Sequence, residues 1–103
     1  FGLNIPANPS APEAIETLTA TAAGGGKIHC QWSYSTRMVS TRLLTKRTTG
    51  SEIDDDFVSA GTTGGLEKTL ERFVASVVVQ VKAIPYNDGG DGSESPTGTV
   101  TVT

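Results

Sequence analysis

Short runs of β-branched residues, separated by glycine-rich turns, constrain this chain more than any other feature. The 103 residues include 15 threonines, nine valines and 12 glycines. Thr and Val carry two heavy substituents on Cβ, which fit a pleated strand better than a helix. Turn signals divide the runs at residues 24–26, 50–51, 64–65 and 87–90. Short strands at roughly even spacing with glycine-rich turns predict an all-β sandwich.

The clearest strand signal lies in residues 27–34. There Ile28, Cys30 and Trp32 alternate with His29, Gln31 and Ser33, and period-2 alternation is typical of a strand with one buried face. Trp32 is predicted to anchor the core because it offers the largest apolar area. The full predicted core is Ile28, Cys30, Trp32, Leu44, Phe73, Val77, Val79 and Val81.

Seven strands are predicted, over residues 15–22, 27–34, 39–48, 57–60, 67–73, 76–84 and 98–103. One of them competes with a helix over residues 66–75, where Leu66, Leu70 and Phe73 also fall at helical spacing. We favour two strands across residues 66–81, because the run continues into the valines at 77–79 and a sandwich needs the sequential partner.

The opening segment differs in composition from the rest. Pro6, Pro9 and Pro12 occur at every third position with small polar residues between them, which favours an extended, semi-rigid chain. We therefore predict a proline-rich linker over residues 1–13 and a β-sandwich domain over residues 14–103.

An ordered set of short motifs resembles a fibronectin type III domain. Pro9 and Pro12 precede the first strand, and Ile28-x-Cys30-x-Trp32 is similar to the second strand of that family. Residues 39–47 are similar to the third strand, although Arg42 stands where the family usually has Tyr, and residues 87–95 are similar to the last turn. The resemblance implies an immunoglobulin-like, seven-stranded β-sandwich.

The resemblance is incomplete at one corner. Family members usually carry a Tyr near the start of the sixth strand, and here that position falls on Val77 or Val79. Because this tyrosine is missing, a related immunoglobulin-like sandwich remains an alternative to the fibronectin type III fold. Apolar packing of Phe73 against the valines is expected to replace it.

Composition excludes several classes of function. The formal net charge is −3, which argues against a nucleic-acid binder, and no apolar run reaches the ~20 residues that would insert into a membrane. One cysteine and one histidine exclude an internal disulfide and most zinc sites. The acidic runs at 52–56 and 87–94 lack the alternating spacing of a calcium loop. No metal and no cofactor is therefore expected.

No catalytic set can be assembled from the sequence. His29 and Cys30 are neighbours on a strand, so their side chains point to opposite faces and cannot form a nucleophile pair. The remaining candidate is a basic cluster, whose members are Arg37, Arg42, Lys46 and Arg47. It is either a surface for an acidic partner, such as an anionic glycan, or a set of cross-strand pairs that protects an edge.

The resemblance implies a non-catalytic module of a larger extracellular or cell-surface protein of bacterial type. Its expected partners are the neighbouring domains of the same polypeptide, and beyond those another protein or a glycan. A spacer or protein-interaction role is favoured. The alternative is a carbohydrate-binding β-sandwich, for which only Tyr34 and Tyr86 remain as stacking platforms.

Overall fold

The computed structural model describes residues 11–103, all of which are strands, turns or connections without a helix. The strands are β1 (Leu18–Gly24), β2 (Lys27–Trp32), β3 (Ser40–Arg47), β4 (Val58–Thr63), β5 (Glu67–Leu70), β6 (Val78–Asn87), β7 (Gly90–Asp91) and β8 (Gly98–Thr101). Each of the seven predicted segments overlaps one of β1–β6 or β8, so the all-β prediction is confirmed. The helical alternative over residues 66–75 is wrong, because β5 occupies part of that range.

Two antiparallel sheets face each other. The smaller sheet has the order β1-β2-β5, and the larger has the order β4-β3-β6-β7 with β8 also paired to β6. β7 and β8 lie along the same edge of β6, where Tyr86 pairs with Asp91 and Val79 pairs with Val100. Between them Pro96 lacks an N–H to donate to the ladder. We therefore describe β7 and β8 as one interrupted strand, which makes seven strand positions.

The proline-rich linker predicted for residues 1–13 lies mostly outside the described residues, which begin at Ala11. The part that is described contacts the sandwich. Pro12 is buried, and the backbone N–H of Glu13 donates to the carbonyl oxygen of Thr36 at 3.2 Å.

The hydrophobic core fills the space between the sheets. The predicted core residues that are buried are Ile28, Cys30, Trp32, Val77, Val79 and Val81. They are joined by Ile15, Leu43, Leu70, Ala83, Val100 and Val102. A hydrogen bond also crosses the core, because the indole N–H of Trp32 on β2 donates to Oγ1 of Thr41 on β3 at 3.1 Å. This bond links the two sheets and satisfies two polar groups that burial would otherwise penalise.

The prediction that Leu44 belongs to the core is wrong by one residue. Leu43 is fully buried, whereas Leu44 is half-buried on the opposite face of β3. Thr41, Leu43 and Thr45 form the inner row of that strand, because side chains two apart share a face. Leu44 instead faces outward, beside Lys82 of the neighbouring β6.

The corner between β5 and β6 is built without a tyrosine. Phe73 is partly buried and packs against the core that contains Val77 and Val79. β5 ends at Leu70, earlier than predicted, since Arg72 and Ser76 adopt positive φ angles of 72° and 74°. A positive φ turns the chain out of an extended path, so the residues after β5 form a connection rather than a longer strand.

Burial raises the pKa of the Cys30 thiol to about 11. The thiolate is the nucleophile, so we expect Cys30 to resist a thiol reagent in the folded protein and to react once the chain unfolds. Labelling followed by mass spectrometry across a urea series measures this directly. Rapid modification in the absence of urea would contradict the burial of Cys30 in the core.

Candidate functional site

The basic cluster predicted from the sequence does not form one patch of free charge. Arg42 and Lys46 lie on the outer face of β3, Arg47 ends that strand, and Arg37 lies in the connection before it. Three of the four side chains, those of Arg37, Arg42 and Arg47, form hydrogen bonds within the domain.

Arg47 forms a compact network with two acids of the β3–β4 connection. Its guanidinium donates to both carboxylate oxygens of Asp54, at 2.9 and 3.1 Å, and to Glu52 at 3.0 Å. The backbone N–H of Arg47 donates to Asp54 as well, at 2.9 Å. Hydrogen bonds from Arg47 lower the pKa of Asp54 to about 2. The acidic run at 52–56 is therefore held to the end of β3 by one arginine.

Arg42 and Arg37 are also engaged. The Arg42 guanidinium donates to Asp91 at 3.0 Å and lies over the Tyr86 ring, with 5.1 Å to the ring centroid. Arg37 donates to the carbonyl oxygen of Ala11 at 3.2 and 3.3 Å. Lys46 makes no ion pair within residues 11–103. Arg37, Arg42 and Arg47 are therefore bound within the domain, but none of these contacts joins residues paired across two adjacent strands.

Sequence reasoning missed Lys82, which lies at the centre of the outer face of the larger sheet. Its ammonium group is 3.2 Å from Glu94 and 4.0 Å from the centroid of the Phe57 ring. Lys82 pairs with Leu44 across the strands, so the aliphatic stem of the lysine helps to cover that outward leucine. The only signal available in the sequence was the alternation of β6, which places Lys82 outward.

The two ends of the sandwich carry its remaining exposed features. In the β3–β6 ladder Ser40 pairs with Tyr86 and Arg47 pairs with Val79. The connections 33–39 and 88–89 therefore share one end, which we call the N-terminal end because Glu13 bonds Thr36 there. The connections 48–57 and 71–77 share the other, the C-terminal end, where the N–H of Ser76 donates to the Val102 carbonyl.

A cleft with a volume of about 320 Å³ lies at the C-terminal end. Its walls are the β3–β4 and β5–β6 connections, and it is lined by Arg47, Thr49, Gly50, Ser51, Glu52, Arg72, Val74, Ala75, Ser76 and Val77. Val74 beside it is 68% exposed. Arg47 is bound to Glu52, whereas Arg72 makes no ion pair within residues 11–103, so the cleft combines hydroxyl and apolar surface with the charge of Arg72.

The N-terminal end carries the two tyrosines considered as glycan platforms. Tyr34 is 64% exposed, whereas Tyr86 is half-buried beneath the Arg42 guanidinium. Only Tyr34 offers an open ring, so the structure brings no pair of aromatic platforms together here.

His29 and Cys30 lie on opposite faces of β2. Nδ1 of His29 is 3.1 Å from Oγ1 of Thr69 on the outer face of the smaller sheet, while Cys30 points into the core. Within residues 11–103 no three His, Cys, Asp or Glu side chains are grouped to hold a metal ion. That same part of the chain has no helix with the length and apolar character needed to span a membrane.

The acid dependence of stability tests the Arg47–Asp54 contact. The pKa of an aspartate in an unfolded chain is about 3.9, whereas the pKa of Asp54 in the folded protein is about 2. A lowered pKa contributes stability that is present above about pH 4 and is lost as the pH falls through the folded value. We expect the difference in urea midpoint between the wild type and Asp54→Asn to be largest near neutral pH and to shrink toward pH 2.

Asp55→Asn is the matched control, because it removes a neighbouring exposed carboxylate that lacks the Arg47 contacts. A midpoint difference for Asp54→Asn that stays constant down to pH 2 would show that the contact does not form in solution.

Comparisons with known proteins identify the fold. No protein-family profile and no curated protein sequence matches this chain. Solved structures do match. The crystal structure of FN3tt superposes with a TM-score of 0.78 at 11% identity, covering 91% of this chain and 97% of that one. The Fn3-like protein from Clostridium thermocellum gives a TM-score of 0.72 at 12% identity, covering 93% and 95%.

A third match is a segment of a multidomain chain. The FN1–FN3 domains of chicken CNTN1 give a TM-score of 0.73 at 12% identity, and the match covers 92% of this chain but 33% of that one. The chain therefore has the fold of fibronectin type III domains, and the fold expected from the resemblance is confirmed. In CNTN1 that fold is one unit of a longer polypeptide.

Proposed function

We propose that this chain is a non-catalytic module of a larger extracellular or cell-surface protein, in which it spaces and orients the neighbouring domains. The observation that carries the proposal is the position of its two ends. Residues 11–13 are fixed at the N-terminal end of the sandwich and residues 102–103 at the C-terminal end. A polypeptide that continued from both would enter and leave at opposite ends of a rigid body.

Both ends are held by specific contacts. At the N-terminal end, a Cβ on Gly92 would lie 2.5 Å from the Pro12 carbonyl oxygen, so the incoming chain packs directly on the last turn of the sandwich. At the C-terminal end, the N–H of Gly26 donates to Thr103 at 3.0 Å and the N–H of Ser76 donates to Val102 at 2.7 Å. Each contact fixes the direction in which a neighbouring domain would be held.

The side-chain chemistry supports a spacer over a binder of acidic or glycan partners. Arg42 and Arg47 form ion pairs within the domain. The exposed ring of Tyr34 is not joined by that of Tyr86, which the Arg42 guanidinium covers. In this proposal the proline-rich segment 1–13 acts as the semi-rigid connection to the preceding domain.

A tandem fusion of two copies tests the spacer role. Thr62→Cys in each copy places a spin label on the exposed side of β4, and Cys30 stays unlabelled because it is buried. Pulsed electron paramagnetic resonance on a dilute sample should give a narrow distribution of the distance between the two labels. A narrow distribution is expected if the connection holds the two copies at a set distance and orientation.

The control fusion replaces Pro6 and Pro9 with Gly or Ser, which makes the connection a flexible coil, and keeps Pro12 because it is buried against the sandwich. We expect the distance distribution to widen. If the natural connection already gives a distribution as broad as that control, the module does not orient its neighbours and the spacer proposal is wrong.

A further inference from the structure

Within residues 11–103 the outer edge of β1 pairs with no other strand, although β8 of the larger sheet lies close by, since a Cβ on Gly98 would lie 3.7 Å from the backbone N of Ala20. β1 is outermost in the order β1-β2-β5, and its seven residues, Leu18–Gly24, contain no charge and no proline. An exposed edge strand normally carries a charge, a proline or a bulge, because its free N–H and C=O groups would otherwise pair with another chain. β1 has only one irregularity, between Ala22 and Gly24, after its regular part.

Of the other edges, β8 has only four residues and follows Pro96, while β5 and β4 carry such protection. β5 contains Glu67 and Lys68. The β3–β4 ladder is shifted between Leu43 and Leu44, with Gly61 of β4 at a φ of 109°. A Cβ on Gly61 would lie 3.4 Å from Cε of Lys68, so the lysine side chain also closes the side of the sandwich between β4 and β5. β1 is thus the exception among these edges.

The alternation of hydrogen-bonded and non-bonded residues along β1 shows which backbone groups face away from β2. The N–H of Ser33 donates to Thr17, and the N–H of Trp32 donates to Leu66, away from β1. Bonded pairs recur every second residue in an antiparallel ladder, so in the β1–β2 ladder they are Thr19 with Gln31 and Thr21 with His29. The N–H and C=O groups of Leu18, Ala20 and Ala22 therefore point to the open edge.

These outward groups are complementary to a second copy of themselves. When β1 lies antiparallel to β1 of another copy about a two-fold axis at Ala20, Leu18 faces Ala22 and Ala20 faces Ala20. The pairs then exchange about six hydrogen bonds. On the exposed face Thr19 lies opposite Thr21, and no like charges meet. We propose that two copies of this chain associate through β1 in this register and form one continuous six-stranded sheet.

This association is independent of the spacer role, since β1 runs along the side of the sandwich and leaves both ends free. Analytical ultracentrifugation over a concentration series tests it. We expect wild-type chain to shift from monomer mass toward twice that mass as the concentration rises. The double variant T19K/T21K places Lys opposite Lys across the two-fold axis and should remain monomeric, because like charges directly opposite are unfavourable.

Two further variants make the register testable. T19K/T21E places Lys opposite Glu in both cross-strand pairs between positions 19 and 21, and it should restore the dimer. T99K/T101K adds two lysines at exposed positions of the neighbouring edge strand β8, and it should leave the dimerisation unchanged. Circular dichroism of each variant checks that the fold is retained. A wild type that stays monomeric, a T19K/T21K variant that still dimerises, or a T19K/T21E variant that does not would overturn the proposal.

Discussion

Replacing Trp32 with alanine should lower the free energy of unfolding by about 3–5 kcal/mol. The side chain is 5% exposed, so its removal loses a large apolar contact area and leaves a cavity between the sheets. It also leaves Oγ1 of Thr41 buried without its indole donor. Because domains of this size have about 5–15 kcal/mol of stability in all, the urea midpoint measured by far-UV circular dichroism should fall steeply.

Two smaller changes separate packing from hydrogen bonding in that result. Trp32→Phe keeps an aromatic ring and should cost less than Trp32→Ala. Thr41→Val keeps the volume of Thr41 but leaves the indole N–H without an acceptor, which should cost about 1–3 kcal/mol. If Trp32→Ala unfolds at the wild-type midpoint, Trp32 is not the anchor of the core.

Leu43→Ala is expected to destabilise the domain by about 2–5 kcal/mol, and Leu44→Ala by much less. The two leucines are adjacent, but Leu43 is fully buried and Leu44 is half-buried on the outer face of β3. The pair is a matched comparison because the same atoms are removed from the same strand. Urea unfolding of both variants gives the two free-energy differences under identical conditions.

Equal losses for the two leucine variants would contradict the register of β3. A larger loss for Leu44→Ala would mean that β3 is shifted by one residue, because such a slip moves every side chain to the opposite face.

The sequence predicted the smaller sheet better than the larger one. In β2 only every second residue is strongly apolar, so Ile28, Cys30 and Trp32 define a single inner face. In β3 two leucines stand side by side, and the inner row is completed by Thr41 and Thr45. Hydrophobicity alone cannot choose between Leu43 and Leu44. The choice depends on Thr41 being inside to accept from Trp32, which is a contact between different sheets.

The candidate site was predictable in its residue types but not in its pairings. Arg47 and Asp54 are seven positions apart and meet only because the β3–β4 connection folds back on the end of β3. Arg42 and Asp91 are 49 positions apart and meet through the order of the strands. Alternation along a strand says which side chains point outward, whereas ion pairs of this kind depend on loop conformation and on which strands are neighbours.

The attachment of the chain at opposite ends has a mechanical consequence. Tension between Glu13 and Thr103 would act along the strands and load β1 against β2, and β8 against β6, in shear. Hydrogen bonds in antiparallel ladders lie perpendicular to the strands, so every bond of a ladder resists such a pull at once instead of opening one after another. β1 and β8 belong to different sheets, and the core between those sheets would have to slip with them.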